Sequence, residues 1–227
     1  MLDVPGWPGH TAGQHLDLRL TAENGYTAQR SYSLASQPRE GRLELTVQRV
    51  PDGEVSGYLV GEARPGDQLE VRGPIGGYFT WRREDRAPVL LVAGGSGIVP
   101  LMSMVRTRAA AAVPDASQPA APAPFRLVYS TRSPGTAIYA AELARRATEG
   151  DGFEVCYAYT RETPPDWPRP PGRLDAGQLA EAAWPVPRSP SCFVCGPTAF
   201  VEAVADLLVA QGYPADRIRT ERFGPTG

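Results

Sequence analysis

Lysine is missing altogether, so all twenty-three basic residues are arginine. Twenty-five acidic residues nearly balance them, and a net charge of -2 gives no electrostatic ground for a nucleic-acid or anionic-membrane partner. Cysteine is scarce. Cys156, Cys192 and Cys195 are an odd number, which argues against a disulfide framework and suits a reducing compartment. Histidine is scarcer still, with His10 and His15 alone, so no Cys/His cluster completes a zinc or iron–sulfur set and no metal is expected. The chain does not open on a basic stretch followed by an apolar one, and no window approaches the ~18 apolar residues a membrane span needs. A cytoplasmic protein without membrane attachment is expected.

What is abundant is glycine and proline, 24 of each, a share that GC-biased coding alone would produce together with the arginines. At 42% hydrophobic and 21% charged, the 227 residues can bury a core, and the length allows one large or two modest domains.

The pattern changes near Ala87. Before it, apolar residues alternate at Leu16, Leu18 and Leu20, at Leu43, Leu45 and Val47, and at Leu69 and Val71, the period of antiparallel strands. Glu23-Asn24-Gly25 supplies the positive φ angles of a tight hairpin turn. A small barrel or sandwich follows, with a short helix over residues 55–62. After Ala87, strands and helices take turns. The unalternating run 88–93 is a buried strand, and further strands are expected at 125–130, 153–159, 192–195 and 217–221. Helices are expected at 98–110, 137–147, from a capping Asp175, and at 197–211, the last burying Phe200, Val204, Leu207 and Leu208. Five parallel strands need crossover connections that cover both faces, which makes a doubly wound sheet. The expected domains are 1–86 and 87–227. The Ala/Pro-rich stretch 109–124 is read as a flexible insertion.

Gly94-Gly95-Ser96-Gly97-Ile98-Val99-Pro100 follows the first buried strand and opens a helix. Unpaired amides at a helix start carry partial positive charge, and glycines let a pyrophosphate approach them. Gly95 and Gly97 match the first two glycines of a dinucleotide fingerprint, with Pro100 where the third would stand. Proline near a helix start loses no needed donor. The loop lacks the Lys-Ser/Thr ending of a P-loop and fails the nucleophile-elbow pattern at Ile98, so a glycine turn without ligand is the competing reading. A second loop, Cys195-Gly196-Pro197, ends the fourth strand in the same way, and both loops would face one crevice at the point where strand order reverses. Cys192 and Cys195 lie along one strand end, where alternation points the sulfurs apart. Arg132, Thr160-Arg161 and Arg173 follow the carboxyl ends of later strands, where a 2′-phosphate would need bidentate donors. NADP is favoured over NAD on that ground, with a solvated surface arginine as the bland reading of any one of them.

Arg30-Ser31-Tyr32-Ser33, Gly73-Pro74-Ile75-Gly76-Gly77, the Gly94 loop, Cys195-Gly196-Pro197 and Glu221-Arg222-Phe223 occur in an order that resembles the ferredoxin–NADP reductase superfamily over nearly the whole chain. The likeness is to members without a fused iron–sulfur or haem domain. It implies a β + α/β protein, an antiparallel flavin-binding β-barrel of six strands followed by the doubly wound five-stranded parallel sheet for NAD(P). Taken alone, Arg30 and Tyr32 would read as a surface arginine and a half-buried strand tyrosine. The resemblance implies that Arg30 grips the flavin diphosphate, Tyr32 stacks on the isoalloxazine and Ser33 bonds near its reactive nitrogen, chemistry that a guanidinium fork and a flat ring suit. It implies a second phosphate loop from Arg49 through Val50 and Gly53 to Ser56, which favours FAD over FMN. Gly95, Ser96, Gly97, Pro100, Gly196 and Pro197 would hold the pyridine dinucleotide. Cys195 would lie beside the nicotinamide, Glu221 near the reacting rings, and Phe223 over the flavin, with the tail Gly224-Pro225-Thr226-Gly227 leading away. Members of that superfamily carry a full strand and part of a second before the segment like residues 7–20, so the resemblance implies either a start set downstream of the native one or a barrel that lacks an edge strand.

The implied activity is an FAD-dependent oxidoreductase taking a hydride from NADPH, or NADH, and passing electrons to a protein or small-molecule acceptor. A free-flavin reductase and a non-catalytic flavin- or nucleotide-binding subunit are the alternatives. An electron-acceptor protein such as a ferredoxin or oxygenase is the expected partner, and a monomer the expected state.

Overall fold

The computed structural model describes residues 1–39, 41–111 and 121–224. The expected insertion falls largely on 112–120, and most of the expected tail on 225–227, so both lie outside the described residues.

The N-terminal part holds β1 (Leu2–Asp3), β2 (His15–Thr21), β3 (Thr27–Ser33), β4 (Arg42–Leu43), α1 (Glu54–Gly61) and β5 (Glu70–Ile75). β2 sits between β3 and β5 in an antiparallel sheet. Its alternation does what period two requires, since Leu16 and Leu18 are fully buried while their neighbours are not. The β2–β3 hairpin turns at Gly25, φ +83°, with the Ala22 amide donating to the Tyr26 carbonyl at 2.8 Å. Leu16, Leu18, Leu34, Leu43, Trp7 and Val55 form the core of this part.

One expected strand is shorter than its alternation suggests. β4 pairs with β1 through Leu2 and Leu43, Leu45 makes an isolated bridge to Leu34, and no ladder reaches Val47. Leu45 and Val47 border an open groove of about 940 Å³ shared with Leu59, Leu69 and Val71, so this edge has no neighbouring strand to pair with among the described residues. Where the resemblance implies six barrel strands, the described residues of this part hold five, in one two-stranded and one three-stranded sheet.

The C-terminal part runs β6 (Val89–Gly94), α2 (Ile98–Ala111), β7 (Phe125–Thr131), α3 (Ala140–Ala147), β8 (Phe153–Tyr159), α4 (Ala176–Ala182), β9 (Ser191–Pro197), α5 (Thr198–Ala210) and β10 (Ile218–Phe223). The sheet is parallel throughout, ordered β10-β9-β6-β7-β8. All six residues of β6 are buried, as a strand covered on both faces must be. Cys192 packs on one face with α4 and α5 and Cys195 on the other with α2, as alternation requires. The second face also gathers Ala12, Ala35, Phe79 and Trp81 from the N-terminal part, so the two parts share one apolar core.

Asp175 caps α4 as expected, accepting the Gln178 amide at 2.8 Å. α3 starts three residues later than the sequence suggests. A tight turn at Pro134–Thr136, closed by a Ser133/Thr136 capping box, and Tyr139 at φ +60° take the place of its first turn.

Candidate functional site

The chain leaves β6 through a single turn, Gly95–Gly97, and enters α2. Gly95 holds φ +54°, a conformation open to glycine at little cost, and Gly94 at the cap position brings no side chain to satisfy the first amides. β6 is followed by β7 and β8 on one side and flanked by β9 and β10 on the other, so these amides lie at the switch point of the sheet. The second glycine loop meets the first there. A β-carbon on Gly97 would fall 2.1 Å from the Cys195 carbonyl oxygen, and one on Gly196 would fall 3.0 Å from that of Gly94. Only residues without a side chain permit that approach.

The two loops border a cleft of about 720 Å³. Gly95, Ser96, Arg132, Thr160 and Pro197 line it from the sheet, while Thr46, Val47 and Gln48 line it from the N-terminal part. Its walls thus come from both parts of the chain.

A second candidate surface is built on β3. Tyr32 is partly buried against the N-terminal core, and Arg30 is exposed, donating to the Gln29 carbonyl at 2.6 Å. α1 lies beside β3, tied at its first residue by Tyr26, whose hydroxyl donates to Glu54 at 3.0 Å. The turn before α1 is braced internally. The Ser56 hydroxyl accepts the Val50 amide at 3.1 Å and donates to the Gly53 carbonyl at 3.4 Å, while the Gly53 amide donates to Val50 at 3.1 Å. Buried Ser56 is therefore spent on the turn, and the groups left for a phosphate are the α1 amides, which no side chain caps.

Ser33 and Glu221 join the two parts. Ser33 is buried, and its hydroxyl lies 3.5 Å from a Glu221 carboxylate oxygen, 188 residues away in the chain. Burial pushes the Glu221 carboxyl up to about 7, against the opposing effect of the Ser33 hydrogen bond. Glu221 sits opposite Cys195 in the β9–β10 register. Cys195 has no exposed surface, and burial, with Glu221 adding to it, pushes its thiol well above the usual range, so it stays a neutral thiol. Phe223 packs half-buried against the shared core that includes Ala35 and Cys195.

Gly95, Ser96, Arg132, Thr160 and Pro197 thus come together in the cleft. Gly97 and Gly196 lie buried behind it as the contact between loops, and Pro100 is buried in the first turn of α2. Arg161 and Arg173 are exposed and outside the lining, the Arg161 amide donating to the Arg132 carbonyl at 2.9 Å. Val50 is exposed at the braced turn. Sequence reasoning missed Ser130, Thr131, Thr136, Ile138 and Phe200, and the three wall residues 46–48. Ser130 and Thr131 end β7 directly before Arg132 and follow from the rule that drew attention to it. Residues 46–48 carry no motif and reach the cleft by tertiary packing alone.

Uncapped helix starts beside glycine turns, one in each part of the chain, fit the phosphates of a flavin and of a pyridine dinucleotide. The protein-family comparison agrees, matching residues 8–80 to an oxidoreductase FAD-binding domain and residues 91–206 to an oxidoreductase NAD-binding domain. A glycine betaine monooxygenase reductase subunit of Pseudomonas aeruginosa is 34% identical over 216 residues, 94% of this chain and 56% of that protein. A flavohemoprotein of Halalkalibacterium halodurans is 30% identical, over 95% of this chain and 52% of its own length. Among solved structures, an Amycolatopsis cytochrome P450 reductase matches with a TM-score of 0.80 at 30% identity, covering 99% of this chain and 64% of that one. The chain spans little more than half the length of these curated relatives. It belongs to the ferredoxin–NADP reductase superfamily and carries an FAD-binding and an NAD-binding domain, in that order.

Proposed function

We propose that the chain is an FAD-dependent NAD(P)H oxidoreductase that supplies electrons to an acceptor protein, and that NADPH is its preferred donor. The observation that carries this reading is the cleft whose walls come from both parts of the chain, with Ser33 of one part against Glu221 of the other. When bound, the cofactors supply the redox chemistry, a hydride moving from nicotinamide to flavin and electrons leaving onward singly. The protein supplies placement and shielding from water.

In this reading Arg30 and the amides of the 50–56 turn hold the FAD diphosphate, Tyr32 supports its ring, and Phe223 shields it. Gly95 and Ser96 offer amides to the dinucleotide pyrophosphate, and Gly97, Pro100, Gly196 and Pro197 shape the loops that present them. Arg132 and Thr160 receive the 2′-phosphate, with Arg161 and Arg173 adding positive charge from outside the lining. Cys195 packs neutral behind the reacting rings. Glu221, titrating near neutrality, can hold or release a proton beside Ser33. The division between domains falls at 86/87, just ahead of the buried β6.

One of the named relatives is a monooxygenase reductase subunit, which makes an oxygenase component the class of acceptor this reading favours. Three unpaired thiols favour the cytoplasm, and among the described residues no helix is long and apolar enough to cross a membrane. A monomer that docks its acceptor transiently completes the reading.

The test is anaerobic. Purified protein loaded with FAD should lose its visible flavin absorption on adding NADPH, and more slowly on adding NADH. Protein that folds but neither retains FAD nor consumes NADPH in its presence overturns the reading. Flavin lost on gel filtration yet reduced when supplied free points instead to a free-flavin reductase.

A further inference from the structure

The shared apolar core holds the two parts together, but apolar contact is non-directional and does not by itself fix how wide the cleft stands. A directional link is present above it. Arg106, in the middle of α2, has a side chain only 15% exposed and touches groups from both parts. Its Nη1 donates to the Ala35 carbonyl and to the Glu44 carboxylate, each at 2.9 Å, in the N-terminal part. Its Nε and Nη2 grip Glu142 of α3 at 3.1 and 2.7 Å, a two-point fork that a lysine cannot reproduce. Burial works against the ionised Glu142, but the bonds from Arg106 and Arg146 outweigh it and hold the carboxyl below its usual range.

The same guanidinium lies 5.0 Å from the centre of the Tyr139 ring, within cation–π range. Tyr139 occupies the left-handed region at φ +60°, which a bulky residue holds only where its surroundings over-determine it. Its hydroxyl hydrogen-bonds Thr46. Thr46 stands two residues beyond Glu44 and is itself part of the cleft wall. Arg106 therefore grips the segment after β4 that carries the wall directly at Glu44, and Tyr139, under the same guanidinium, grips it again at Thr46.

We infer that Arg106 is a positioning residue that sets the spacing between the two walls of the cleft, through Glu44 and Ala35 on one side and Glu142 and Tyr139 on the other. The inference rests on reading the cleft as the NAD(P)H site. It assigns to a side chain with no place in the cleft lining a role in how well the dinucleotide seats.

The experiment uses the FAD-loaded protein and the variants Arg106→Gln, Glu44→Gln, their double, and Tyr139→Phe. Anaerobic flavin reduction is followed against NADPH concentration, together with the long-wavelength absorbance of stacked nicotinamide and flavin. Reduction by dithionite is the control. Arg106→Gln and Glu44→Gln should each lose on the order of tenfold in reduction efficiency and weaken the stacking signal, since misplacement by a fraction of an ångström is felt in hydride transfer. The double variant should be no worse than the poorer single, because both break one link. Tyr139→Phe should move the same way by less. Flavin content and dithionite reduction should not change, whereas a merely structural role would lower flavin content and leave the flavin-loaded fraction unaltered. Wild-type reduction kinetics and stacking signal in Arg106→Gln, or losses that simply add, overturn the inference. Should Arg106→Gln fail to fold, Glu44→Gln and Tyr139→Phe decide it by the same readouts. A wild-type protein that neither NADPH nor NADH reduces defeats the functional reading, and this inference with it.

Discussion

Gly97→Ala is the substitution whose consequence the structure specifies most tightly. The added β-carbon would lie 2.1 Å from the Cys195 carbonyl oxygen, 2.4 Å from its carbon and 2.7 Å from the Gly196 amide nitrogen, where ordinary contact begins at 3.4 Å. All three are backbone atoms of β9, which is hydrogen-bonded to β6 on one side and β10 on the other, so no rotamer change relieves the overlap. The two glycine loops must part by about 1 Å, an overpacking expected to cost ~1–3 kcal/mol. With the Gly95–Gly97 turn read as the dinucleotide loop, a shift of that size against its neighbour is expected to cost on the order of 100-fold in a reaction that depends on alignment. Two nearby substitutions serve as controls. At Gly94 a β-carbon would meet the Phe200 ring at 2.6 Å, a side chain that can turn away, and at Gly95 it would meet nothing within 4 Å but would be strained at φ +54°. Gly95→Ala should therefore cost ~1 kcal/mol of strain with no displacement of β9. Urea unfolding and anaerobic reduction by NADPH, measured on all three, should rank Gly97→Ala worst on both scales. Equal stability and equal reduction rates for Gly97→Ala and Gly94→Ala would refute the claim that backbone contact between the loops sets the site.

Three further outcomes are expected. Because Glu221 is raised from 4.5 to about 7 in the fold, the stability gained from its protonation is complete below about pH 4.5 and disappears as the pH climbs through 7, by at most ~3 kcal/mol. Glu221→Gln should flatten that part of the pH–stability curve, and an unchanged slope over the range from the ordinary carboxylate value of 4.5 to the raised value of about 7 would count against a buried acid. Arg108 is 1% exposed and bonded to the Ala123 carbonyl at 2.7 Å and the Asp151 carboxylate at 2.8 Å, so Arg108→Met should lose ~3 kcal/mol in thermal unfolding, and Arg108→Lys most of it. Arg132→Ala should raise the KM for NADPH by ~10- to 100-fold and leave that for NADH nearly alone, the loss of a charge-assisted bond to one phosphate; equal effects on both donors would remove the 2′-phosphate from its role.

Much of the architecture was legible because it depends on periods and punctuation. Two-residue alternation at Leu16 and Leu18 and the unbroken apolar run of β6 are direct records of one covered face and two. Asn24-Gly25 and Asp175 mark a turn and a cap for local reasons that packing did not override. The local rules failed where neighbours decide. Leu43, Leu45 and Val47 alternate correctly, yet a strand ladder also needs a partner edge, and past Leu43 the described residues provide only one bridge. The helix expected from residue 137 has suitable composition, but Tyr139 is turned into the left-handed region by contacts with Thr46 and Arg106 that no local pattern announces.

The same distinction divides the site. The sheet contributes its wall of the cleft through glycine loops and strand ends, features that the doubly wound topology forces into the sequence, and they were found. The opposite wall, residues 46–48, needs only side chains of suitable size held at a suitable distance, a demand many sequences satisfy. What makes those residues a wall is the grip on Glu44 and Thr46 from α2 and from the start of α3, so the specification for that side of the site is written at Arg106 and Tyr139. A cleft shared by two parts of a chain therefore has one half encoded by its own loops and the other by the residues that dock it.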